Sequence, residues 1–270
     1  TRADVRELKR HSCMPNDANY PHGAPHLFAT RQLVVDHNKK LFDASNAEKF
    51  IILAHDSVAA NVSRDVRQKI LNGSQLRDTR KTMGLVYSLD IALGLRYEVV
   101  ANIDIEDGLV NGAAGVAMQV ENRLSTTNRA SIIWVLFEEE RIGRNRRNQF
   151  RCYYNNTDID RTWTPIFDIR RSFNVKEDSS YIAVTRVQFP LRSSGAKTIH
   201  SCQGDALNQA VVHLGKRKVG GLHYVALSRV RSISGLHILH LNENKVGVSE
   251  KAIAEVERLE NEASLEFCYT

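Results

Sequence analysis

The apolar residues of this chain change their period twice, and that pattern constrains the fold more than any single motif. From position 26 the order is strand, helix, strand. Leu27-Phe28-Ala29 is a short apolar strand, and 32–42 carries Val34, Val35, Leu41 and Phe42 at roughly helical spacing. Phe50-Ile51-Ile52-Leu53-Ala54 is a continuous apolar run, the pattern expected of a strand buried on both faces. Such a unit implies a parallel sheet with a right-handed crossover. A second amphipathic helix is expected over 61–71, ended by Asn72-Gly73.

The middle of the chain reads differently. Segments 97–103, 114–120 and 131–137 are rich in β-formers and separated by turn signals at Glu106-Asp107-Gly108, Asn111-Gly112 and Thr126-Thr127-Asn128. Short strands at that spacing suggest a small antiparallel barrel. The last third returns to α/β character. It has a strand-like run over 181–189, a buried-strand run over 210–214, a helix or turn over 223–227 and a strand over 236–241. Ser249 is placed to cap a terminal helix with Ile253, Val256 and Leu259 on one face. The first 25 residues, with Pro15, Pro21 and Pro25, read as a short helix and a loop. An α/β domain interrupted by a β insert is the expected architecture.

Composition narrows the partners. A chain of 270 residues allows one large domain or two small ones. No apolar run approaches the roughly 20 residues that span a bilayer, so no membrane partner is expected. The four cysteines form no CxxC pair, against a disulfide framework or zinc ribbon and for a reducing compartment. Cys13, His22 and His26 are three loosely spaced ligand types, too few for a closed metal site, and no metal is expected. The formal charge of +6 suits an anionic partner. Much of the excess sits in one place, at Arg141, Arg144, Arg146, Arg147 and Arg151, beside Phe150, Tyr153 and Tyr154. That cluster reads either as a phosphate-contacting loop with a stacking platform or as a solvated basic loop.

Two further segments carry chemistry. Lys197-Thr198-Ile199-His200-Ser201-Cys202-Gln203-Gly204 packs hydroxyl, imidazole, amide and glycine into one stretch after a strand-like run. In α/β sheets ligands bind beyond the carboxyl ends of the strands, where backbone N–H groups reach phosphate oxygens. A polar turn with a helix cap is the plainer reading. In Tyr224-Val225-Ala226-Leu227-Ser228-Arg229-Val230-Arg231 a serine and two arginines follow an apolar stretch, and arginine suits desolvated, bidentate phosphate contact.

Taken in order, these segments resemble the petite-integration-frequency (Pif-type) DNA helicases of superfamily one, in the form carried by Helitron rolling-circle transposons. The resemblance runs through Leu27-Phe28-Ala29-Thr30, Val35-Asp36-His37-Asn38, Asn102-Ile103-Asp104, Asp107-Gly108-Leu109-Val110-Asn111-Gly112 and Gly115-Val116. It continues through Trp163-Thr164-Pro165-Ile166, Gln188-Phe189-Pro190-Leu191, Thr198-Ile199-His200, Gln203-Gly204 and the 224–231 segment. It implies a RecA-like second motor domain of the P-loop NTPase type, in two parts at 1–94 and 186–270, interrupted by a small SH3-like β-barrel insert at 95–185. Arg229 matches the arginine finger on the γ-phosphate of ATP, with Ser228, Gln203 and Gly204 lining the nucleotide cleft. Thr198 and His200 match contacts to the backbone of single-stranded DNA. Asn111 and Gly112 open the barrel segment that guides the strand, and Arg144, Arg146 and Arg147 are expected to touch DNA.

The departures are specific. The family carries lysine or arginine and then serine where this chain has Ser201 and Cys202, and threonine where Ala206 stands. There is no G-x-x-x-x-G-K-S/T segment and no counterpart of the acidic magnesium-binding motif. ATP and Mg²⁺ are therefore expected to be held mainly by an amino-terminal motor domain beyond Thr1-Arg2-Ala3-Asp4, which reads as the start of a fragment. The expectation is the carboxyl-terminal half of an ATP-dependent DNA helicase, inactive in isolation and, by analogy, nuclear. The alternatives are an orphaned remnant that only binds single-stranded nucleic acid, and a purely structural partner domain.

Overall fold

The computed structural model describes residues 2–122, 130–155, 158–178, 180–214, 222–241, 253–255 and 257–259. The expected turn at 126–128, the Ser249 cap and Val256 lie outside them. The helices are α1 (Arg2–Arg10), α2 (Arg31–Ala44), α3 (Arg64–Asn72), α4 (Arg144–Gln149) and α5 (Leu222–Leu227). The first strands are β1 (His26–Phe28), β2 (Lys49–Leu53), β3 (His55–Val58), β4 (Ser88–Ala92), β5 (Arg96–Val99), β6 (Ala114–Glu121) and β7 (Ile132–Phe137). They are followed by β8 (Thr164–Ile166), β9 (Ile169–Glu177), β10 (Ser180–Gln188), β11 (Leu191–Ser193), β12 (Ala196–Thr198), β13 (Ala210–His213) and β14 (Leu236–Leu239). Two compact units result, 1–37 with 196–270, and 38–195. Among the described residues no helix is long and apolar enough to cross a membrane.

The first unit is built on a parallel sheet in the order β12-β1-β13-β14. Its strand residues are all buried or half-buried, polar ones such as His26 and Lys197 included, because parallel strands are covered on both faces. Leu27, Ala210, Val212 and Ile238 are fully buried, and Ile199, Cys202 and Ala226 complete the same core. Each large apolar side chain so buried contributes about 1.5–3 kcal/mol of transfer free energy. The chain enters alongside β14, where Cys13 N donates to Ile238 O at 2.9 Å.

The second unit is antiparallel. Five strands run β11-β5-β6-β7-β8, three run β3-β10-β9, and β2 pairs with β4. Tyr97, Ile133, Val135, Phe189 and Leu191 form the main core. The Tyr97 hydroxyl accepts from Ala92 N at 2.8 Å and donates to Asp90 O at 3.1 Å. The β6–β7 ladder shifts register between Ala117 and Gln119, a bulge that bends the strand.

The run at 50–54 departs from the sequence expectation. Strand β2 is not a doubly buried parallel strand beside β1 but pairs antiparallel with β4, with Ile52 buried while Ile51 and Leu53 are 67% and 56% exposed. The neighbours of β1 are β12 and β13, so the crossover does not run from β1 to β2. The strand-like run at 181–189 is the antiparallel β10, paired with β3 and β9. These pairings draw the segment from Asn38 onward into the second compact unit, 38–195.

Candidate nucleotide and nucleic-acid site

In the first unit the chain leaves the carboxyl end of β12 into a tight polar turn. Ser201 N donates to Thr198 Oγ1 at 3.2 Å, Thr198 Oγ1 donates to Ser201 Oγ at 3.0 Å, and Ser201 Oγ donates to Thr198 O at 2.8 Å. This closes a 3₁₀ turn over His200–Cys202, with Cys202 buried as its apolar anchor and His200 and Ser201 exposed. Gly204 has φ +96°, a left-handed conformation that glycine adopts without strain. Buried Lys197 reaches Asp205 Oδ2 at 2.9 Å and pins the far side of the loop.

The arginine segment runs beside that loop. Leu207 N donates to Arg229 O and Arg231 N donates to Leu207 O, both at 2.8 Å, forming a parallel bridge between Leu207 and Val230. Helix α5 also packs against the His200–Cys202 turn. Gln203-Gly204 and Ser228-Arg229, 25 residues apart in sequence, are thus held on adjoining segments. Arg229 Nε donates to Val225 O at 2.8 Å and Nη2 to Ser228 Oγ at 2.9 Å, while Ser228 Oγ donates to Val225 O at 3.2 Å. Those bonds hold one edge of the half-buried guanidinium against its own helix. Among the described residues Nη1 has no partner, so a donor remains for an anion; the residue fits a phosphate contact.

The remaining predicted residues lie in the second unit. Asn111 N donates to Asn102 Oδ1 at 3.0 Å, and Gly112, at φ +96°, donates to Val99 O at 2.9 Å. Their turn ends a long β5–β6 connection whose Asp107 is buried and accepts from the N–H groups of Asn145 and Arg146 at 2.7 and 2.9 Å. That carboxylate caps α4 at its positive end, so the Asn111-Gly112 loop and the arginine helix are mechanically joined. Asp107 was not a sequence candidate, and the local Asp-Gly turn signal concealed its role.

The arginine cluster is a helix, not a loop, and its members differ. Arg144 is exposed. Arg146 is sandwiched: Nε donates to Pro165 O at 2.7 Å and its guanidinium lies 5.5 and 5.2 Å from the Phe150 and Phe167 ring centres. Burial pushes its pKa down while Asp104 and Asp107 push it back up. Arg147 donates Nη1 to Ile142 O and Thr164 Oγ1 at 2.7 and 2.9 Å, and Nη2 to Glu140 O at 2.6 Å. The expected stacking platform is corrected at Tyr154, whose ring is buried 5.1 Å from Trp134 and whose hydroxyl donates to Trp163 O at 2.6 Å. An aromatic at that position is core because it packs with Ile132, Trp134 and Ile159.

No family model matches the chain. Individual relatives do. The ATP-dependent DNA helicase PIF1 of Rattus norvegicus is 30% identical over 182 residues, 67% of this chain and 23% of that protein. The crystal structure of Pif1 helicase from Candida albicans superimposes with a TM-score of 0.64 at 21% identity, covering 96% of this chain and 54% of that one. The Bacteroides Pif1 helicase crystallised with ADP-AlF3 and single-stranded DNA gives a TM-score of 0.59 at 17% identity, covering 97% of this chain and 51% of that one. The chain thus spans about a quarter to a half of the proteins it matches. The parallel sheet is the α/β part of that shared fold, and in both sequence and fold this chain is similar to the Pif1-type helicases.

Proposed function

We propose that the chain is the second motor domain, with an SH3-like insert, of an ATP-dependent DNA helicase. In this reading Arg229 is the arginine finger, Ser228, Gln203 and Gly204 line the nucleotide cleft, and Thr198 and His200 meet the backbone of single-stranded DNA. The observation that carries it is the Leu207–Val230 bridge, which holds the glutamine loop and the arginine segment side by side. The Bacteroides relative, crystallised with a nucleotide analogue and single-stranded DNA, supports the choice of ligands.

ATP would supply the phosphoryl group and Mg²⁺ its charge compensation. This chain contributes Nη1 of Arg229 as a preorganised donor where negative charge grows on the equatorial oxygens. Because Thr198 closes the same turn that leads to Gln203-Gly204, a shift of that loop on nucleotide contact would move the exposed His200 and alter the grip on a DNA phosphate. In the insert, Asn111, Gly112 and Arg144 border the strand, while Arg146 and Arg147, whose donors are engaged within the protein, add positive potential rather than direct bonds.

The lysine cradle for β- and γ-phosphates is missing from this sequence, so the purified chain is expected to hydrolyse no ATP in the presence of single-stranded DNA. Steady-state turnover of about one per second, a typical helicase-range value, would overturn that. In a longer protein that places a G-x-x-x-x-G-K-S/T domain ahead of this chain, Arg229→Ala is expected to lower kcat by about 10³-fold or more while largely sparing DNA binding. Undiminished turnover would remove Arg229 from the finger role.

A further inference from the structure

The end of α4 and the segment that follows it enclose a cleft of about 500 Å³ in the 38–195 unit, lined by Arg144, Arg147, Arg151 and Arg161 together with Asn148 and Asn155. Four guanidinium groups around one cleft repel one another, the more so where protein walls lower the dielectric. Among the described residues no carboxylate lines it. Asp160, directly before Arg161, is turned instead to Thr162, accepting from its N–H and hydroxyl at 2.7 and 2.6 Å. Arg147 is held by neutral oxygens alone, which fix its position and leave its charge uncompensated. Among the described residues the Arg151 side chain makes one long bond, 3.5 Å to Asn148 Oδ1. Arg144 and Arg161 are exposed, and no carboxylate pairs with either among the described residues.

We infer that this cleft is a phosphodiester site, in which Arg144, Arg151 and Arg161 take one or two successive phosphates of a nucleic-acid strand. Guanidinium forks match phosphate oxygens in bidentate geometry, and the amides of Asn148 and Asn155 add neutral donors at the rim. The volume falls within the range of small-ligand clefts and admits a sugar-phosphate unit. Tyr154, which also lines the cleft, has its ring committed to the core, so no stacking platform selects a base and the site reads backbone without sequence. The inference rests on the helicase reading for the nature of the anion, and it adds Arg161, a residue outside the arginine run, to the strand's path.

The experiment is fluorescence anisotropy of the full chain with labelled oligothymidine, titrated with NaCl. For Arg151→Gln/Arg161→Gln the slope of log K against log salt is expected to shallow by about 1.4, from about 0.7 per single-strand phosphate contact, with affinity falling about tenfold at ~0.1 M salt. Arg151→Lys/Arg161→Lys should keep the slope. The control Arg80→Gln/Arg170→Gln removes two exposed arginines of the same unit that do not line the cleft and should shallow the slope far less. Equal slopes for wild type and the cleft variant, or equal losses in cleft and control variants, overturn the site and leave the helicase reading standing. Failure of the wild-type chain to bind oligothymidine at all overturns both.

Discussion

Asp107 and Arg146 are joined across 39 positions by one hydrogen bond of 2.9 Å, from the Arg146 N–H to the Asp107 carboxylate, and the neighbouring Asn145 N–H completes the pair at 2.7 Å. Helix α4 has Gly143 at its amino end, which offers no capping side chain, so the cap is supplied by a distant loop. Asp107→Ala leaves two helix N–H groups without their acceptor in a part-buried site. It is expected to lower stability by about 2 kcal/mol, and Asp107→Asn by roughly half that. Urea denaturation followed by circular dichroism measures both. A loss below ~0.5 kcal/mol for the alanine variant would show that the cap is idle.

A buried ion pair makes the second prediction. Arg186 is wholly buried, its Nε and Nη2 each 2.7 Å from the two Asp56 oxygens, with Nη1 donating to Leu85 O and Nη2 also to Leu76 O. Removing the arginine alone leaves the Asp56 carboxylate and the Leu76 carbonyl without these donors, while Leu85 O keeps the Thr82 hydroxyl at 2.7 Å, and Arg186→Ala is expected to cost about 3–5 kcal/mol. Arg186→Leu/Asp56→Leu should cost distinctly less than the sum of its single changes, because no uncompensated charge remains. A double-mutant cycle with no coupling would disprove the pairing energy.

Legibility followed locality. Leu27-Phe28 and Ala210-Val211-Val212 announced a parallel core because every residue of such a strand is covered. The same apolar signature at 50–54 misled, since a short run does not encode its partner or its direction. Strand β2 found β4, 35 to 43 residues away, and left Ile51 and Leu53 outside. The glutamine loop and the arginine segment stand out in the sequence because each is a contiguous motif, and the Leu207–Val230 bridge that sets them side by side does not. Asp107 capping α4, and Arg161 returning to Arg144 and Arg151, depend on irregular connections whose course no periodicity reports. Tyr154 looked like a stacking ring because sequence shows an aromatic beside arginines and hides the Trp134 face it covers.

Two glycines should respond in opposite order to the room around them. At Gly204 no heavy atom lies within 4 Å of an added Cβ, but φ is +96°, so Gly204→Ala is expected to cost about 1 kcal/mol through backbone strain alone. At Gly115 the backbone is ordinary strand, yet the Cβ would stand 2.5 Å from Leu136 O and 2.9 Å from Phe137 Cα. Backbone atoms of a paired strand cannot yield, and Gly115→Ala is expected to cost about 2 kcal/mol or more. Urea midpoints for the two variants test the ranking, and a larger loss at Gly204 would contradict it.

The last prediction concerns acid. His26 Nδ1 lies 2.9 Å from His213 Nε2, Tyr20 OH lies 3.2 Å from His26 Nε2, and the His37 ring is 4.1 Å from that of His26. Burial, with the charges of His37 and His213 adding to it, pushes His26 down to about 3, and burial with His37 and His240 pushes His213 down to about 4. Both are neutral in the folded chain at pH 5, whereas in the unfolded chain they take protons near the ordinary 6.5. The unfolded state therefore binds more protons below pH 6.5, and stability falls with pH from there toward pH 4 and 3, by up to about 1.4 kcal/mol per pH unit for each histidine. Urea denaturation between pH 7.5 and 5, in about half-unit steps, is expected to show a plateau above pH 7 and a decline below 6.5. In His213→Gln the decline should be cut by about half, since one of the two protons is removed. A wild-type profile flat from pH 7 to 5, or a decline unchanged in the variant, would show that this cluster does not set the acid sensitivity of the parallel-sheet unit.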